Sequence, residues 1–504
     1  IYRGHNPGRP REQRGGRWAL MELKNYIGGK FTESSSLRWL EVREPATGRK
    51  YAKVPLSNSE DVGHAVDSAR KAQPGWGGLT LLERANWLDR IADELEERRE
   101  DIASIESRDT GKPITLARNV DANRSIANFR FFAEMIKGHR DETFEMSDAM
   151  NYVSSKPVGV GALITPWNLP LYLLSWKVAP AIGMGNTVVC KPSELTPMTA
   201  NLLMEVIDKV GLPAGVVNLV HGDGAGAGSS LVKHHDVDLV SFTGGTATGA
   251  EVAKIAAPQF KKLSLELGGK NASIVFEDCD LEATVKGVTR SAFLNQGQVC
   301  LCGSRVLIER SIYEDFKHKF VQSVNDLRIG DPSKEGTDLG AIISSEHLQK
   351  VNEYVALSIE EGGVCLTGGP DSPVPVEDDL KGGFWMNPVV VTGLSPDSRC
   401  STEEIFGPMV TLHPFDSEEM AIEIANNTRY GLAGSIWTKD LEKGRRVAEQ
   451  IQTGMVWVNT WLHRDLRTPF GGVKDSGVGR EGGRWSIGFF SEPLNVCVKD
   501  DRAR

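Results

Sequence analysis

The sequence lacks a run of about 18 apolar residues without a charge, which a membrane-spanning helix would need. Cysteine is scarce, with seven residues in 504, and neither their odd number nor their spacing fits a disulfide framework. Glycine and proline together make up about 15% of the chain, too little for a low-complexity sequence. We therefore exclude a membrane-spanning protein and a disulfide-stabilised scaffold, and we expect a globular protein of a reducing compartment, the cytoplasm.

The chain also has no excess of positive charge. It contains 58 Lys and Arg and 67 Asp and Glu, which gives a net charge of −9. An acidic protein is poorly suited to nucleic acid, so we expect no such partner. Residues 1–20 differ from the rest, with five arginines, one glutamate and no helical period of apolar residues. We predict a disordered tail there rather than a transit peptide, because transit peptides form amphipathic helices.

Apolar runs alternate with helical patterns along most of the remaining chain. After short strands and turns over residues 21–55, apolar residues recur at helical spacing from Leu81 to Ile105, and Gly111 and Pro113 predict the end of that helix. Strands are predicted at 158–165, 187–190, 216–220, 239–243, 273–276, 306–309 and 456–459. Helices are predicted between them at 171–182, 199–210, 225–233 and 249–256. This alternation is typical of an α/β protein with a doubly wound parallel sheet.

Cys300 is the first residue whose surroundings suggest chemistry. It follows a polar, glycine-containing segment just beyond a predicted helix, so its thiol could be exposed and activated as a nucleophile. The same local sequence also fits a buried cysteine with a structural role. Cys302 offers a second thiol, but no further Cys or His lies at zinc-ligand spacing, and we expect no metal site.

Two polar residues at predicted strand ends are further candidates. Glu266 ends an apolar run, and partial burial would raise the pKa of its carboxyl group and suit it to act as a base. The alternative for Glu266 is a carboxylate paired with Lys270. Asn168 lies between Pro166 and Pro170 and is either an oxyanion donor or a turn residue.

A glycine-rich junction between a predicted strand and a predicted helix contains Gly244, Gly245 and Gly249. Glycines there allow backbone N–H groups at the helix N-terminus to approach a phosphate. The segment 222–228 comes closer to the GxGxxG dinucleotide fingerprint, but its spacing differs. We interpret it as a small-residue turn that leads into a helix.

Together with four further motifs, these segments resemble the NAD(P)-dependent aldehyde dehydrogenase superfamily. The further motifs lie at 188–194, 403–408, 469–472 and 477–481, and the resemblance extends over about residues 25–500 in the family's order. It implies an α/β protein with the aldehyde dehydrogenase fold in three parts. These are a Rossmann-like NAD-binding domain (21–133 and 155–266), an α/β catalytic domain (267–482) and a β-arm (134–154 and 483–500). An extended arm needs a partner strand or surface, which implies a homodimer or homotetramer.

The resemblance also assigns catalytic roles. Cys300 matches the nucleophile that attacks the aldehyde, Asn168 the side chain that holds the oxyanion together with the Cys300 N–H, and Glu266 the base that activates water to hydrolyse the thioester. Lys177 and Glu481 match residues near a proton-relay path. A CoA-acylating enzyme would have little use for Glu266, and a non-catalytic relative would be expected to lose these side chains. We therefore expect an enzyme that oxidises a small aldehyde to an acid.

The cofactor implied is NAD. Lys191 and Glu194 match contacts to the adenosine ribose, and a carboxylate at that place repels the 2′-phosphate of NADP. Glu404 matches the ligand of the nicotinamide ribose, with Phe406 beside it, and Trp167 is expected on the pyrophosphate side. Where this chain has a glycine at position 245 the family often has serine, so one hydroxyl contact to the pyrophosphate is missing.

Within the family, the chain most resembles enzymes that oxidise 2-aminomuconic or 2-hydroxymuconic 6-semialdehyde. The resemblance rests on residues 166–177, 299–302 and 462–467. Tyr172 and Trp176 belong to the first of these segments and are expected to contact the substrate.

Both substrates carry a carboxylate remote from the aldehyde, which Arg118 and Arg464 are expected to bind, because a guanidinium group pairs with a carboxylate through two hydrogen bonds. The alternative is that these arginines pair with Asp121 and Asp465. The substrate would then be an apolar aldehyde, retinal-like or aliphatic.

Overall fold

The structure, a computed structural model, describes residues 20–370 and 372–499. The predicted tail over residues 1–20 therefore lies outside the described residues, apart from Leu20. Within the described part of the chain, no helix combines the length and apolar character that a membrane span requires. All seven cysteines are described, and each is a free thiol.

Short strands are distributed along the whole described chain. In order they are β1 (Met21–Glu22), β2 (Asn25–Ile27), β3 (Lys30–Thr32), β4 (Trp39–Arg43), β5 (Lys50–Pro55), β6 (Glu142–Glu145), β7 (Ala149–Pro157), β8 (Val160–Ile164), β9 (Thr187–Lys191), β10 (Val217–Leu219), β11 (Leu239–Thr243), β12 (Lys262–Glu266), β13 (Ala272–Val275), β14 (Arg305–Glu309), β15 (Val364–Thr367), β16 (Val389–Thr392), β17 (Met409–Phe415), β18 (Tyr430–Gly431), β19 (Ala433–Trp437), β20 (Met455–Val458), β21 (Val473–Lys474), β22 (Gly477–Val478) and β23 (Ser491–Lys499).

Helices connect most of these strands. They are α1 (Ser59–Gly77), α2 (Leu81–Glu97), α3 (Arg99–Thr110), α4 (Ile114–Leu116), α5 (Asn123–Lys137), α6 (Pro170–Gly183), α7 (Met198–Val210), α8 (Ser229–Lys233), α9 (Thr246–Ala256), α10 (Leu281–Phe293), α11 (Tyr313–Asn325), α12 (Ser345–Glu360), α13 (Arg399–Thr402), α14 (Glu418–Asn426), α15 (Leu441–Ala448) and α16 (Gly483–Phe489). Two π-helical turns, Ala117–Ala122 and Gly224–Gly228, precede α5 and α8.

Two large sheets form the centre of the fold. The first has eight strands in the order β22-β12-β11-β8-β9-β10-β2-β3, and its five inner strands from β12 to β10 are parallel. The second has seven strands in the order β15-β16-β17-β14-β13-β19-β20, parallel except for β15. The parallel strands are apolar and buried along most of their length, which confirms the predicted α/β class.

The long helix predicted from Leu81 to Ile105 is in fact two helices. The chain breaks between α2 and α3 at Arg98, where φ is −101° and ψ is 17°. The apolar period continues across the break because both helices bury one face in the same core. Gly111, in the left-handed conformation with φ +77°, ends α3 as predicted. Helix α1 was not predicted, although its capping box of Asn58 and Asp61 is a sequence signal for its start.

A three-stranded antiparallel sheet, β23-β7-β6, stands apart from the two large sheets. Its exposed side chains include Tyr152, Leu494, Val496 and Val498. The division into three parts stays a prediction, and two strands cross its predicted borders. Strand β7 extends to residue 157, and β22, from the segment predicted as catalytic, pairs with β12 of the first large sheet.

Candidate active site

A cavity of about 280 Å³ lies between the ends of the two large sheets. Its wall on one side comes from residues at or just after the carboxyl ends of β8, β11 and β12, and on the other from segments that precede β14 and β17. Ligands of open α/β sheets commonly bind beyond the carboxyl ends of parallel strands. Asn168, Glu266 and Cys300, which are distant in sequence, all line this cavity.

Cys300 is half-buried at the end of a tight turn. Asn295, Gln296 and Gly297 have positive φ angles of 55°, 58° and 71° in succession. A Cβ atom at Gly297 would lie 2.1 Å from the carbonyl oxygen of Gly407, so only glycine fits this close approach. The other candidate thiol, Cys302, is buried in the core of the second sheet and does not line the cavity.

The surroundings of the Cys300 thiol do not by themselves favour its ionised form. Burial raises the pKa of the thiol, and the carboxylates of Glu404 and Glu266 add to the increase. The local sequence suggested an exposed thiol, whereas the folded chain leaves it half-buried and brings the carboxylates of Glu404 and Glu266 near the sulfur.

The Asn168 side chain is suitably placed to donate a hydrogen bond into the cavity. Its Nδ2 donates one hydrogen bond to the carbonyl oxygen of Gln298, at 2.9 Å. The second amide hydrogen is free, and Asn168 lines the cavity together with Cys300. The side chain therefore has an N–H available for an oxyanion on an atom bound to the sulfur.

Glu266 ends β12 as a buried carboxyl group, and neither of its oxygens has a hydrogen-bond partner among the described residues. Burial raises the pKa of Glu266, and the nearby Glu481 raises it further. The alternative pairing with Lys270 is absent, since the Lys270 Nζ is itself buried without a hydrogen-bond partner. Gly471 leaves space for the carboxyl group, because a Cβ there would lie 2.6 Å from Glu266 Oε1.

A buried ion pair lies next to Glu266. Lys177 Nζ contacts Glu481 Oε1 at 2.6 Å, and the Lys177 side chain is completely buried. Lys177 lowers the pKa of Glu266 while Glu481 raises it, so both groups act electrostatically on the candidate base. The resemblance placed these two residues near a proton path, and the structure brings them to the same buried cluster.

The half of the cavity on the predicted cofactor side contains Trp167, Gly244, Gly245, Glu404 and Phe406. The Trp167 and Phe406 rings pack edge to face with centroids 5.3 Å apart. Glu404 Oε1 accepts a hydrogen bond from the Gly269 N–H at 2.9 Å. His347 and Lys350 also line this half, and no sequence motif had pointed to them.

The start of α9 fits a phosphate group. No side chain caps its first turn, and nothing lies within 4 Å of the position that a Cβ of Gly245 would occupy. The Thr243 hydroxyl is buried at the same edge without a hydrogen-bond partner. Gly249 was expected to contact the cofactor, but it packs beneath Leu267. A Cβ atom at this position would lie 2.4 Å from the Leu267 side chain. Gly249 lines neither this cavity nor the one described next, so it is a packing residue.

A second cavity of about 750 Å³ lies against Lys191, between α8 and α9. Lys191 Nζ contacts Glu194 Oε2 at 3.1 Å. The segment 222–228 forms a turn into a helix, capped by Asp223, as predicted. The same segment also lines this cavity through Gly224, Ala225 and Gly228, which the sequence interpretation did not anticipate. Its glycines leave room for a ligand beside the lysine.

The other half of the first cavity is aromatic and contains one cation. Arg464 Nη1 donates a hydrogen bond to the Tyr172 hydroxyl at 3.2 Å. The Arg464 guanidinium carbon lies 4.1 Å from the Phe470 ring centroid and 5.3 Å from that of Trp176. Its Nη2 is buried without a partner. Asp465, the predicted partner of Arg464, instead pairs with Arg467 at 2.5 Å.

Arg118 does not belong to this site. Its guanidinium pairs with Glu100 at 3.0 Å and with Glu335 at 2.8 Å on the protein surface. The neighbouring residues Leu116 and Val120 line the cavity, so the π-helical turn directs Arg118 to the opposite side. Asp121, the partner of Arg118 in the alternative interpretation, is buried and pairs with Lys112 instead.

Arg124, which the sequence interpretation missed, lies over the Tyr172 ring at 5.5 Å from the centroid. Its Nε and Nη2 atoms are buried without hydrogen-bond partners. Burial and the nearby Arg464 lower the pKa of Arg124. Two guanidinium groups therefore flank Tyr172, and neither forms an ion pair with a carboxylate of the described residues.

Comparison with known proteins agrees with this geometry. Residues 31–496 match the sequence model of the aldehyde dehydrogenase family. The chain is 46% identical to a 2-aminomuconic semialdehyde dehydrogenase of Mus musculus, over 96% of this chain and 99% of that one. It is also 46% identical to a 2-hydroxymuconic semialdehyde dehydrogenase of Pseudomonas sp. (strain CF600), over 95% of this chain and 100% of that one. The crystal structure of PnpE from Pseudomonas sp. WBC-3 is similar with a TM-score of 0.92 and 40% identity, over 95% of this chain and 98% of that one.

Proposed function

The chain belongs to the aldehyde dehydrogenase family, and on that premise we propose that it oxidises 2-aminomuconic or 2-hydroxymuconic 6-semialdehyde to the dicarboxylic acid with NAD. Relatives named for these two semialdehyde substrates are 46% identical to the chain. The observation that carries the choice of substrate is the Arg464 guanidinium group at the aromatic end of the cavity that contains Cys300. A second guanidinium group, that of Arg124, lies over the ring of Tyr172, which lines the same cavity.

A carboxylate is the group that this end of the cavity lacks. Arg124 and Arg464 both have buried N–H groups without acceptors, and a buried charge without a partner is costly. An anionic substrate group in the cavity would accept charge-assisted hydrogen bonds from Arg464, and the nearby positive charge of Arg124 would attract it further. The aromatic rings of Trp176 and Phe470 suit the flat, conjugated carbon chain between the carboxylate and the aldehyde.

The chemistry proceeds on Cys300. Its thiol proton passes to a water molecule, the sulfur attacks the aldehyde carbon, and the carbonyl electrons move to the oxygen, which Asn168 Nδ2 stabilises. NAD, held by Trp167, Lys191, Glu194, Gly245, Glu404 and Phe406, would supply the hydride acceptor that turns this thiohemiacetal into a thioester. Glu266 then accepts a proton from water as the water attacks the thioester, and the bond from carbon to sulfur breaks to release the acid.

The two arginines predict a specific kinetic result. We expect Arg464→Ala to raise KM for 2-hydroxymuconic 6-semialdehyde by about ten- to a hundredfold, because a charge-assisted hydrogen bond contributes roughly 1.5–3 kcal/mol. Arg124→Ala should raise KM by a smaller factor, because Arg124 lies over Tyr172 and does not line the cavity. KM for a neutral dienal of the same length should change less than about threefold. Initial rates of NADH formation measure both values.

Arg118→Ala is the matched control, since it removes an arginine of the same segment that pairs only with Glu100 and Glu335, and its KM values should stay near those of the unmodified enzyme. Equal losses on the charged and neutral substrates would mean that Arg124 and Arg464 only support the local structure. The alternative substrate, a retinal-like or aliphatic aldehyde, would then be favoured.

Glu194 predicts the choice of cofactor. We expect kcat/KM to be at least about tenfold higher with NAD than with NADP, because the carboxylate repels a 2′-phosphate. Glu194→Gln should narrow the difference by improving kcat/KM for NADP. Glu194 pairs with Lys191 at 3.1 Å but stays partly exposed, so its negative charge remains available to repel a phosphate. Similar kcat/KM values for the two cofactors in the unmodified enzyme would contradict this role.

The sheet of β6, β7 and β23 supports a proposal about assembly. It exposes Phe144, Tyr152, Leu494, Val496 and Val498, an unusual concentration of apolar side chains on an extended surface. Burial against a second copy of the chain would remove them from water, so the homodimer or homotetramer implied by the family resemblance stays the proposed state. The free thiols of all seven cysteines agree with the proposed location in the cytoplasm.

A further inference from the structure

A buried ion pair lies behind the loop that carries Asn168. Lys112 Nζ contacts Asp121 Oδ1 at 2.8 Å, and both side chains are completely inaccessible to solvent. The same Nζ donates a second hydrogen bond, of 2.9 Å, to the backbone carbonyl oxygen of Asn168. Neither residue lines the cavity, so neither can touch the substrate.

We propose that Lys112, oriented by Asp121, is a positioning residue that fixes Asn168 for oxyanion stabilisation. This inference rests on the proposed function, in which Asn168 Nδ2 is the oxyanion donor. Lys112 acts on the backbone of Asn168 and thereby on where its side-chain amide points. Its contribution should be seen in the step that forms the oxyanion rather than in cofactor binding.

The backbone at Asn168 needs such support because it belongs to no helix or strand. It lies between the end of β8 and the first residue of α6, and Leu169 has the irregular angles φ −139° and ψ 65°. Among the described residues, the carbonyl oxygen of Asn168 accepts hydrogen bonds from two side chains, Lys112 at 2.9 Å and Asn295 at 3.2 Å.

The same bonds connect the oxyanion donor to the nucleophile. Asn295 Nδ2 also donates to the carbonyl of Gln298 at 3.2 Å, and Asn168 Nδ2 donates to that carbonyl at 2.9 Å. Gln298 is two residues before Cys300. A shift of the Asn168 backbone would therefore change the position of its amide relative to the sulfur, and displacements of this kind have large effects on rate.

Stability alone does not account for the ion pair. Burying two charges costs desolvation energy, and an apolar pair of similar volume is often as stable or more stable. An apolar pair could not donate a hydrogen bond to the Asn168 carbonyl. Lys112 is directed inward by the end of α3, where Gly111 has φ +77° and a Cβ would lie 2.9 Å from the Ala341 carbonyl oxygen.

The test uses the variant Lys112→Met/Asp121→Asn, which removes the donor together with the carboxylate that it pairs with. NADH formed in the first turnover, before the thioester is hydrolysed, appears as a rapid burst. We expect the rate constant of this NADH burst to fall about tenfold or more, with the dissociation constant for NAD changed less than about threefold. The single variant Lys112→Met should show the same loss if it folds. The control is Asp109→Asn, which alters a different buried carboxyl group, near the end of α3, that contacts Tyr51 and Met198 instead. Its burst rate should change less than about twofold.

A double-mutant cycle with Asn168→Ala separates positioning from general damage. In the Asn168→Ala background, removing the Lys112 and Asp121 pair should slow the burst less than about threefold further, because the group that they position is already absent. The same loss in both backgrounds would overturn the proposal and assign Lys112 a structural role only. If Asn168→Ala alone left the burst rate unchanged, the oxyanion role of Asn168 in the proposed function would fail instead.

Discussion

Replacing Cys300 by alanine is expected to lower the rate of NADH formation by at least about a thousandfold while the protein still binds NAD. The reaction needs a covalent bond between the enzyme and the aldehyde carbon, and Cys300 is the cysteine whose side chain reaches the cavity between the two large sheets. Alanine at this position removes the nucleophile without adding bulk, so the cofactor side of the cavity should be unchanged.

Cys302→Ala is the matched control, because this thiol is two residues away but is packed in the core of the second sheet. It should keep most of the activity. NADH absorbance measures turnover, and calorimetric titration measures NAD binding. Turnover of Cys300→Ala above a thousandth of that of the unmodified enzyme would contradict the assignment of the nucleophile.

Glu266→Gln is expected to give a single burst of NADH followed by a steady-state rate at least about a hundredfold below that of the unmodified enzyme. The hydride leaves before water attacks, so the loss of the base should not prevent the burst. Glutamine keeps the size of the side chain but cannot accept a proton. Stopped-flow absorbance at short times, compared with the later linear rate, measures both phases.

The pH dependence follows from the environment of the same carboxyl group. Burial raises the pKa of Glu266, and only the ionised form can accept a proton from water. The steady-state rate should therefore rise with pH as the carboxyl group loses its proton, at a pH well above that at which an ordinary glutamate ionises, and Glu266→Gln should lack this rise. A variant without a burst but with sustained turnover would show that Glu266 acts before hydride transfer.

Local patterns were reliable where the chemistry depends on short segments. The alternation of apolar strands and amphipathic helices predicted the α/β class, because each strand of a parallel sheet is buried on both faces and so is apolar throughout. The position of Glu266 at the end of an apolar run predicted that burial would raise the pKa of its carboxyl group. Gly111 predicted the end of α3, because few other residues adopt the left-handed conformation without strain.

Predictions that depended on the direction of one side chain were less reliable. Arg118 and Arg124 are close in sequence. An ordinary helical period does not show which of them points towards Tyr172. The π-helical turn Ala117–Ala122 changes the phase of the helix, so Arg118 faces Glu100 and Glu335 while Arg124 reaches the Tyr172 ring. A wider turn of this kind has no clear sequence signature.

Local patterns in the sequence predicted the class of the fold and made Cys300, Glu266 and Asn168 candidates, while their roles and the aldehyde substrate came from the resemblance to a known family. The contacts of the folded chain were needed to show which arginines lie beside Tyr172, that Gly249 packs against Leu267, and that burial raises the pKa of the Cys300 thiol. Each of these depends on segments that are distant along the chain and close in space. Burial and electrostatic surroundings are properties of such contacts, and no local pattern contains them.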